Sequence, residues 1–303
     1  DEAVANGWFV PDVPAIVLTV VNWGPLVDFT NPEASAWWTG NVRTYTDMGI
    51  EGFKLDFAED VIPGVLQYRL PWTFSDGTDE RTMHHQYQRL YHQAYREALG
   101  QGNGFLLCRT GAFGDQATGT IIWPGDIDGN LALHGEDVGD YIAVGGLPAA
   151  VSASISLGPS GFPFFGSDTG GYRHTPPDKE TFTRWFEHTA FSSVMQIGMG
   201  SSDVAWEPVR DWDAAMLDDY RLYTRLHLRL HPYLWTYANR IATTGHPIQR
   251  PLGLAHPELG HFDFDYLLGD ELLVAPVVRP GQTTRRVVLP QGSWSDFFDG
   301  TVL

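Results

Sequence analysis

The run Gly52-Phe53-Lys54-Leu55-Asp56-Phe57-Ala58-Glu59-Asp60 joins an apolar alternation to a sudden cluster of carboxylates. Phe53, Leu55 and Phe57 alternate with Lys54 and Asp56, the period of a strand whose side chains point to opposite faces in turn. The segment Gly119-Thr120-Ile121-Ile122-Trp123-Pro124-Gly125-Asp126 repeats the idea, an apolar strand that stops at an aspartate. Two strand-end acids with aromatic neighbours suit cleavage of a sugar bond. Cleavage with retention needs two carboxyl groups about 5–5.5 Å apart, one ionised to attack and one protonated to donate to the leaving oxygen. Lys54 shares a strand face with Asp56, and a nearby cation favours a charged carboxylate. Asp56 therefore suits the nucleophile, with capping of the next loop as the structural alternative. Asp126 follows the rigid, apolar Trp123-Pro124-Gly125 and suits an acid/base; an ordinary turn aspartate has the same look.

Other residues fall at the same kind of place. Arg109 closes the apolar run Gly104–Arg109, where a guanidinium needs a partner: a sugar hydroxyl, a carboxylate to orient, or a structural ion pair. Asp168, before Thr169-Gly170-Gly171-Tyr172, can bind sugar hydroxyls or cap a loop. Asp126-Ile127-Asp128 also has the D-x-D form of metal-dependent glycosyltransferases, a motif too short to carry weight. His227 and His231 stand four apart on a helix face, yet no H-E-x-x-H and no third ligand accompany them. Nothing resembles the G-x-S-x-G elbow of serine hydrolases.

These residues need elements to hold them. Asn31-Pro32-Glu33 is a helix start, with an N-cap residue, Pro at the first helical position and an acid in the first turn. That helix runs through Trp37 and Trp38 to Gly49, and the strand to Phe57 follows. A long aromatic loop from Asp60 to Arg81 leads to a helix over Thr82–Leu99. Strands over Gly104–Arg109 and Thr120–Trp123 come next, then an irregular acidic segment and a helix near Leu147–Leu157. The pattern then predicts a strand over Gly161–Phe165, a helix from Thr175 to about Ser193, a short strand over Val194–Ile197 and a long helix over Ala214–Thr243. Beyond Gly245 short β runs at Leu272–Val278 and Arg286–Leu289 suggest a second, all-β module. The expected domains are thus 1–245 and 246–303. Alternating βα units imply a parallel α/β sheet, no G-x-G-x-x-G or P-loop follows a strand, and the polar residues gather at carboxyl strand ends. That is the layout of a (β/α)8, or TIM, barrel.

Composition narrows the function classes. The 303 residues are 43% hydrophobic and 18% charged, the balance of a globular protein. A net charge of −18 argues against nucleic-acid partners and against anionic membranes. The single cysteine, Cys108, excludes a disulfide framework within the chain. No apolar run approaches a membrane span. Compartment and oligomeric state are not legible in these residues.

Taken together, the segments resemble glycoside hydrolase family 31, the retaining α-glycosidases. Asp28-Phe29-Thr30-Asn31-Pro32 resembles the family's D-F-T-N-P, and Phe53–Glu59 its F-K-x-D-F-G-E, with Ala58 where Gly is usual. Arg109-Thr110-Gly111 resembles its Arg-Ser after strand five, and Trp123–Asp126 its W-x-G-D. Ser167–Gly171 resembles H-D-I-G-G, Leu230–Leu234 resembles R-x-P-Y-L, and Leu268–Pro276 resembles L-G-D-x-L-L-V-A-P. The order is the family's across nearly the whole chain. The resemblance implies Asp56 as nucleophile and Asp126 as acid/base. It places Lys54, Arg109, Trp123, Asp168 and Trp23 among substrate-binding residues around the sugar, with a carbohydrate substrate and no metal or organic cofactor.

It also implies the carboxyl-side portion of the barrel, from about strand three or four onward, followed by the start of a β-sandwich. A fragment lacking the family's N-terminal sandwich and first strands is therefore expected. The family's usual His after the strand-seven helix has no counterpart in Ser193–Gly200, and Ile127–Gly145 is longer than the family's usual link. Both departures bear on which sugar is bound. The competing expectations are a non-catalytic barrel that binds carbohydrate or a partner, and a transglycosylase or lyase on the same acids. The α-galactosidase barrel, which shares a K-x-D strand, is disfavoured by the W-x-G-D and L-V-A-P segments.

Overall fold

The computed structural model describes residues 2–11, 13, 25–100, 102–198 and 211–303, in two compact units that meet in sequence between Gly125 and Asp126. After the short helix α1 (Glu2–Ala5), the first unit is built around three parallel strands. Strand β1 (Gly52–Leu55) pairs with β4 (Phe105–Cys108), and β4 pairs with β5 (Thr120–Ile122). The register sets Leu55 opposite Cys108 and Cys108 opposite Ile122, so the three strands end level with one another. Whatever follows each strand therefore emerges on one rim.

Helix α2 (Pro32–Thr46) feeds β1, and its start is the one predicted: the Asn31 side chain accepts from the amides of Glu33 at 2.9 Å and Ala34 at 3.4 Å. Helix α3 (Glu80–Leu99), capped by Asp79, is the crossover from β1 to β4. Its buried stripe of Met83, Tyr87 and Ala94 packs with Phe29, Ala34, Trp72 and Phe74, while Tyr91 and Tyr95 cover Leu55, Leu106 and Cys108. Burying side chains of this size stabilises by about 1.5–3 kcal/mol each before entropy is counted.

The long loop after β1, with its small hairpin of β2 (Gly64–Val65) and β3 (Tyr68–Arg69), is pinned at two points. Asp28 is fully buried and accepts four hydrogen bonds, from the amide and hydroxyl of Thr30 (3.0 and 2.6 Å) and those of Ser75 (2.8 and 2.6 Å). Glu80, also buried, pairs with Arg69 and accepts from the Trp72 amide at 3.2 Å. A buried carboxylate persists only when its oxygens are matched this fully. The loop is held to the body of the unit at both ends of its turn.

In the second unit α4 (Leu147–Leu157), α5 (Lys179–Ala190) and the long α6 (Ala214–Thr244) pack around Trp185, Leu147, Val151 and Leu230. Helix α6 ends at Gly245, whose φ of +70° is the left-handed stop that glycine tolerates. Three antiparallel strands, β6 (Gln249–Pro251), β7 (Tyr266–Leu268) and β8 (Leu272–Val274), follow, with a four-residue helix, α7 (Leu252–Ala255), between β6 and β7. The sheet packs Tyr266 and Leu268 into the same core.

Four predicted elements differ. Helix α5 begins at Lys179, not Thr175, because Asp178 supplies the cap, accepting from the Thr181 amide at 2.7 Å. Gly161–Phe165 and Val194–Ile197 run side by side through single contacts, Val194 N to Phe165 O at 3.2 Å and a bridge of Asp168 to Gln196, without a full ladder. Arg286–Leu289 has no strand neighbour among the described residues. Among the described residues no helix is long and apolar enough to cross a membrane.

His188 generates a pH prediction. It is fully buried beside the Tyr266 hydroxyl, 3.2 Å from Nδ1, and burial pushes its pKa down to about 4 from 6.5. Between those values the unfolded chain binds a proton that the folded chain refuses, so stability falls as pH drops. Urea melts of the protein should show a smaller loss of unfolding free energy between pH 7 and pH 5 in His188→Asn than in wild type. Equal losses would contradict it.

Candidate active site

The rim of the three strands gathers four of the residues singled out in the sequence. Asp56 comes directly after β1 and is half-exposed. Both hydrogen bonds it accepts among the described residues fall on Oδ1, from the Phe57 amide at 3.0 Å and from Arg109 Nη1 at 3.1 Å. The carboxylate is thus held by one oxygen. Behind it the backbone turns sharply: Phe57 and Ala58 have φ values of +59° and +78°. Left-handed backbone costs a side-chain-bearing residue about 1–2 kcal/mol, and such strain collects at functional sites. The turn breaks the strand's alternation and brings Glu59 round to the side of Arg109.

Arg109 continues β4 by one ladder bond, its amide donating to Leu55 O at 3.0 Å. Its guanidinium lies 4.8 Å from the Phe57 ring and 5.7 Å from the Trp123 ring. From there Nη1 reaches Asp56, and Nε reaches Glu59 Oε1 at 2.9 Å. Gly125 closes the back: it has a φ of +75°, and a Cβ there would stand 3.1 Å from Arg109 Nε. Trp123 is buried, with its amide bonded to Cys108 O at 2.9 Å, and carries Lys54 Nζ 3.9 Å above its ring. The cation paired with Asp56 in this unit is therefore Arg109, while the Lys54 ammonium takes the indole face. Cation–ring contacts of this kind contribute about 0.5–2 kcal/mol and fix direction.

Two carboxyls here escaped the sequence analysis as site residues. Burial raises the pKa of Glu59 above its ordinary value, with Arg109 opposing in part, and burial likewise raises Asp60, which accepts from the Ala58 amide at 3.2 Å. Glu59 Oε2 is buried with no hydrogen-bond partner among the described residues.

In the second unit Asp126 is half-buried at the start of a segment stitched to the one after Asp168. Ile127 O accepts from the amides of Tyr172 at 2.9 Å and Arg173 at 3.1 Å, and the Gly129 amide donates to Arg173 O at 2.7 Å. Asp128 turns inward and is fully buried, accepting from the Val144 amide at 2.7 Å, with Arg173 Nε 3.7 Å and His174 Nε2 3.6 Å away. Asp168 is fully buried, and Gly198 lies so close that a Cβ there would meet its Oδ1 at 2.5 Å. Among the described residues no group of three or more His, Cys, Asp or Glu could hold a metal. His227 points elsewhere, its Nδ1 3.0 Å from Ala190 O. Trp23 lies outside the described residues.

Parallel strands ending level, with carboxylates and a ring-flanked guanidinium at their carboxyl ends, are the arrangement of the functional rim of a βα-barrel. Residues 1–237 match the TIM-barrel domain of glycosyl hydrolases family 31, and residues 245–303 match that family's C-terminal domain. The chain belongs to glycosyl hydrolase family 31, and its fold is a partial TIM barrel followed by the C-terminal domain. It is similar to an isomaltosyltransferase of Sporosarcina globispora, 31% identical over 91% of this chain and 25% of the relative. An α-xylosidase of Emericella nidulans is 33% identical over 90% of this chain and 33% of its own length. Among solved structures, a family 31 sulfoquinovosidase from E. rectale, in complex with an aza-sugar inhibitor, superposes with a TM-score of 0.81. It is 26% identical and is matched over 100% of this chain and 45% of its own. The chain thus spans a quarter to a third of the length of these two curated relatives.

The strained turn generates a prediction of its own. Ala58→Gly removes the Cβ from a left-handed position and should stabilise the protein by about 1 kcal/mol. Urea unfolding checks it; destabilisation would show that the Ala58 methyl, buried at 5% exposure, contributes more by packing than it costs in backbone strain.

Proposed function

We propose that the full-length protein cleaves α-glycosidic bonds at non-reducing ends with retention of configuration. Asp56 is the nucleophile and Asp126 the acid/base. The observation that carries this reading is the state of Asp56: a strand-end carboxylate whose Oδ1 is anchored by the Phe57 amide and Arg109. A carboxylate anchored at one oxygen, beside a fixed cation, is ready to attack with the other. Membership of a family whose relatives include an α-xylosidase and a sulfoquinovosidase supports the same chemistry.

In the first step Asp56 forms a bond to the anomeric carbon as the bond to the leaving oxygen breaks, and Asp126 gives that oxygen its proton. In the second, Asp126 takes a proton from water, whose oxygen displaces Asp56 and releases the sugar. The family resemblance assigns the sugar-binding roles to Lys54, Arg109, Trp123, Asp168 and Trp23, cations and acids for the hydroxyls and indoles for the apolar faces. The isomaltosyltransferase relative favours a second reading, in which a sugar hydroxyl replaces water in the second step.

Azide separates the roles of the two acids. Turnover of an aryl α-glycoside by Asp56→Ala in the full-length protein should fall by about 10⁴-fold or more, and azide should restore it with a β-glycosyl azide as product. Asp126→Ala with azide should yield the α-glycosyl azide. Activity in Asp56→Ala without azide, or the two products exchanged, would remove the assignment. Product analysis with an added sugar acceptor distinguishes transfer from hydrolysis.

A further inference from the structure

The segment after Asp126 carries an aromatic pair that the mechanism above does not use. The Tyr141 and His174 rings stack 3.7 Å apart and within 9° of parallel. Asp128 ties the two limbs that bear them. Its backbone bridges to Arg173, and its Oδ2 accepts from the Val144 amide at 2.7 Å. Its Oδ1 faces His174 Nε2 at 3.6 Å and Arg173 Nε at 3.7 Å. That oxygen is buried without a hydrogen-bond partner among the described residues, which leaves its charge to be met by these side chains at longer range. Tyr141 is fixed from its far end, the hydroxyl accepting from Asn130 Nδ2 at 3.0 Å. His174 has a left-handed backbone, with a φ of +56°, which a side-chain-bearing residue keeps only where its surroundings impose it. Yet the pair is not hidden: Tyr141 is half-buried, and the His174 side chain is 39% exposed. So much fixing of two rings that still reach solvent is the mark of a surface prepared for a ligand.

We infer that the Tyr141–His174 pair is the platform for the leaving-group sugar, and for an acceptor sugar during transfer. The inference rests on the proposed role of Asp126 as acid/base. That acid must touch the glycosidic oxygen, so the departing ring lies directly beside it. Residues stitched to the backbone next to Asp126 therefore line the place that ring occupies. Ile127 O is bonded to the amides of Tyr172 and Arg173, and His174 follows directly. The link from Ile127 to Gly145 supplies Tyr141, folded back on itself by Gly135 N to Ala143 O at 2.8 Å and Val138 N to Tyr141 O at 3.1 Å. A rigid aromatic pair suits the C–H face of a pyranose, and the half-exposed Arg173 guanidinium suits its hydroxyls. In transfer the acceptor hydroxyl gives its proton to Asp126 while its oxygen bonds to the anomeric carbon and the bond to Asp56 breaks.

The fate of the glycosyl-enzyme tests it in the full-length protein. The donor is whichever α-glycosyl fluoride the wild type turns over, since fluoride brings no ring to the platform. Glucose, xylose, galactose and mannose are offered as acceptors, and transfer and hydrolysis products are quantified together. A displaced acid/base slows both exits alike, so the ratio of transfer to hydrolysis reports acceptor binding. Tyr141→Ala and His174→Ala should each lower that ratio by about tenfold, the order of one ring contact. Tyr141→Phe keeps the ring and drops the Asn130 bond, and should stay within about twofold of wild type. An unchanged ratio in both alanine variants overturns the inference. So does a fall in Tyr141→Phe equal to that in Tyr141→Ala, which marks the hydroxyl as a structural tie, and so does a wild type that forms no transfer product with any acceptor. Failure of the acid/base assignment looks different: Asp126→Ala with azide would then yield no α-glycosyl azide, whatever the ratio does. A wild type that turns over no α-glycosyl fluoride removes the proposed function and this inference together.

Discussion

One guanidinium between two aromatic rings is the interaction on which the rest of the first unit depends. Arg109 is the cation bonded to Asp56, and it is only one-fifth exposed. A charge so enclosed persists only when its donors are matched. Asp56 and Glu59 match two of them, and Phe57 and Trp123 supply the flanking faces. Remove any one and the others lose their reason to be where they are. The strand-end acid, the strained turn and the buried indole form one assembly around Arg109, with the Lys54 ammonium on the same indole.

The surrounding fold makes that assembly rigid. Level strand ends put residue 56, residue 109 and residue 123 on one rim through backbone register alone. The long loop beyond would be free to wander, but Asp28 binds it through Ser75, and Glu80 binds it through Arg69 and Trp72. Both carboxylates are fully buried, so loosening the loop would expose charges that are now satisfied. The left-handed pair at Phe57 and Ala58 is tolerated because ladder bonds on one side and this loop on the other over-determine it.

Much of this was legible in the residues. Period-two alternation ending at an acid marked β1 and β5, the Asn-Pro-Glu start marked α2, and the gathering of polar residues at strand ends marked the rim. The alternation reads as a strand through Phe57, but β1 ends at Leu55 and Phe57 turns left-handed, and there the sequence stopped informing. Ala58 gives no hint of a positive φ, since that residue type rarely adopts one, so the return of Glu59 to Arg109 could not be read. Lys54 had the right face and charge, and its ammonium also stands over the Trp123 ring, a contact that side-chain alternation alone does not reveal. Asp128 matched the D-x-D form because sequence shows the carboxylate and not the Val144 amide that donates to it. The weak strands at 161–165 and 194–197 were apolar enough to predict, but pairing depends on neighbours that local pattern does not contain.

The most direct test of the account is to trap the covalent intermediate. Full-length protein treated with a 5-fluoro-α-glycosyl fluoride or an α-configured cyclitol epoxide is digested, and the modified peptide is mapped by mass spectrometry. The account predicts a single ester-linked label on Asp56. A label on Glu59, Asp126 or another carboxylate, with Asp56 unmodified, would contradict it.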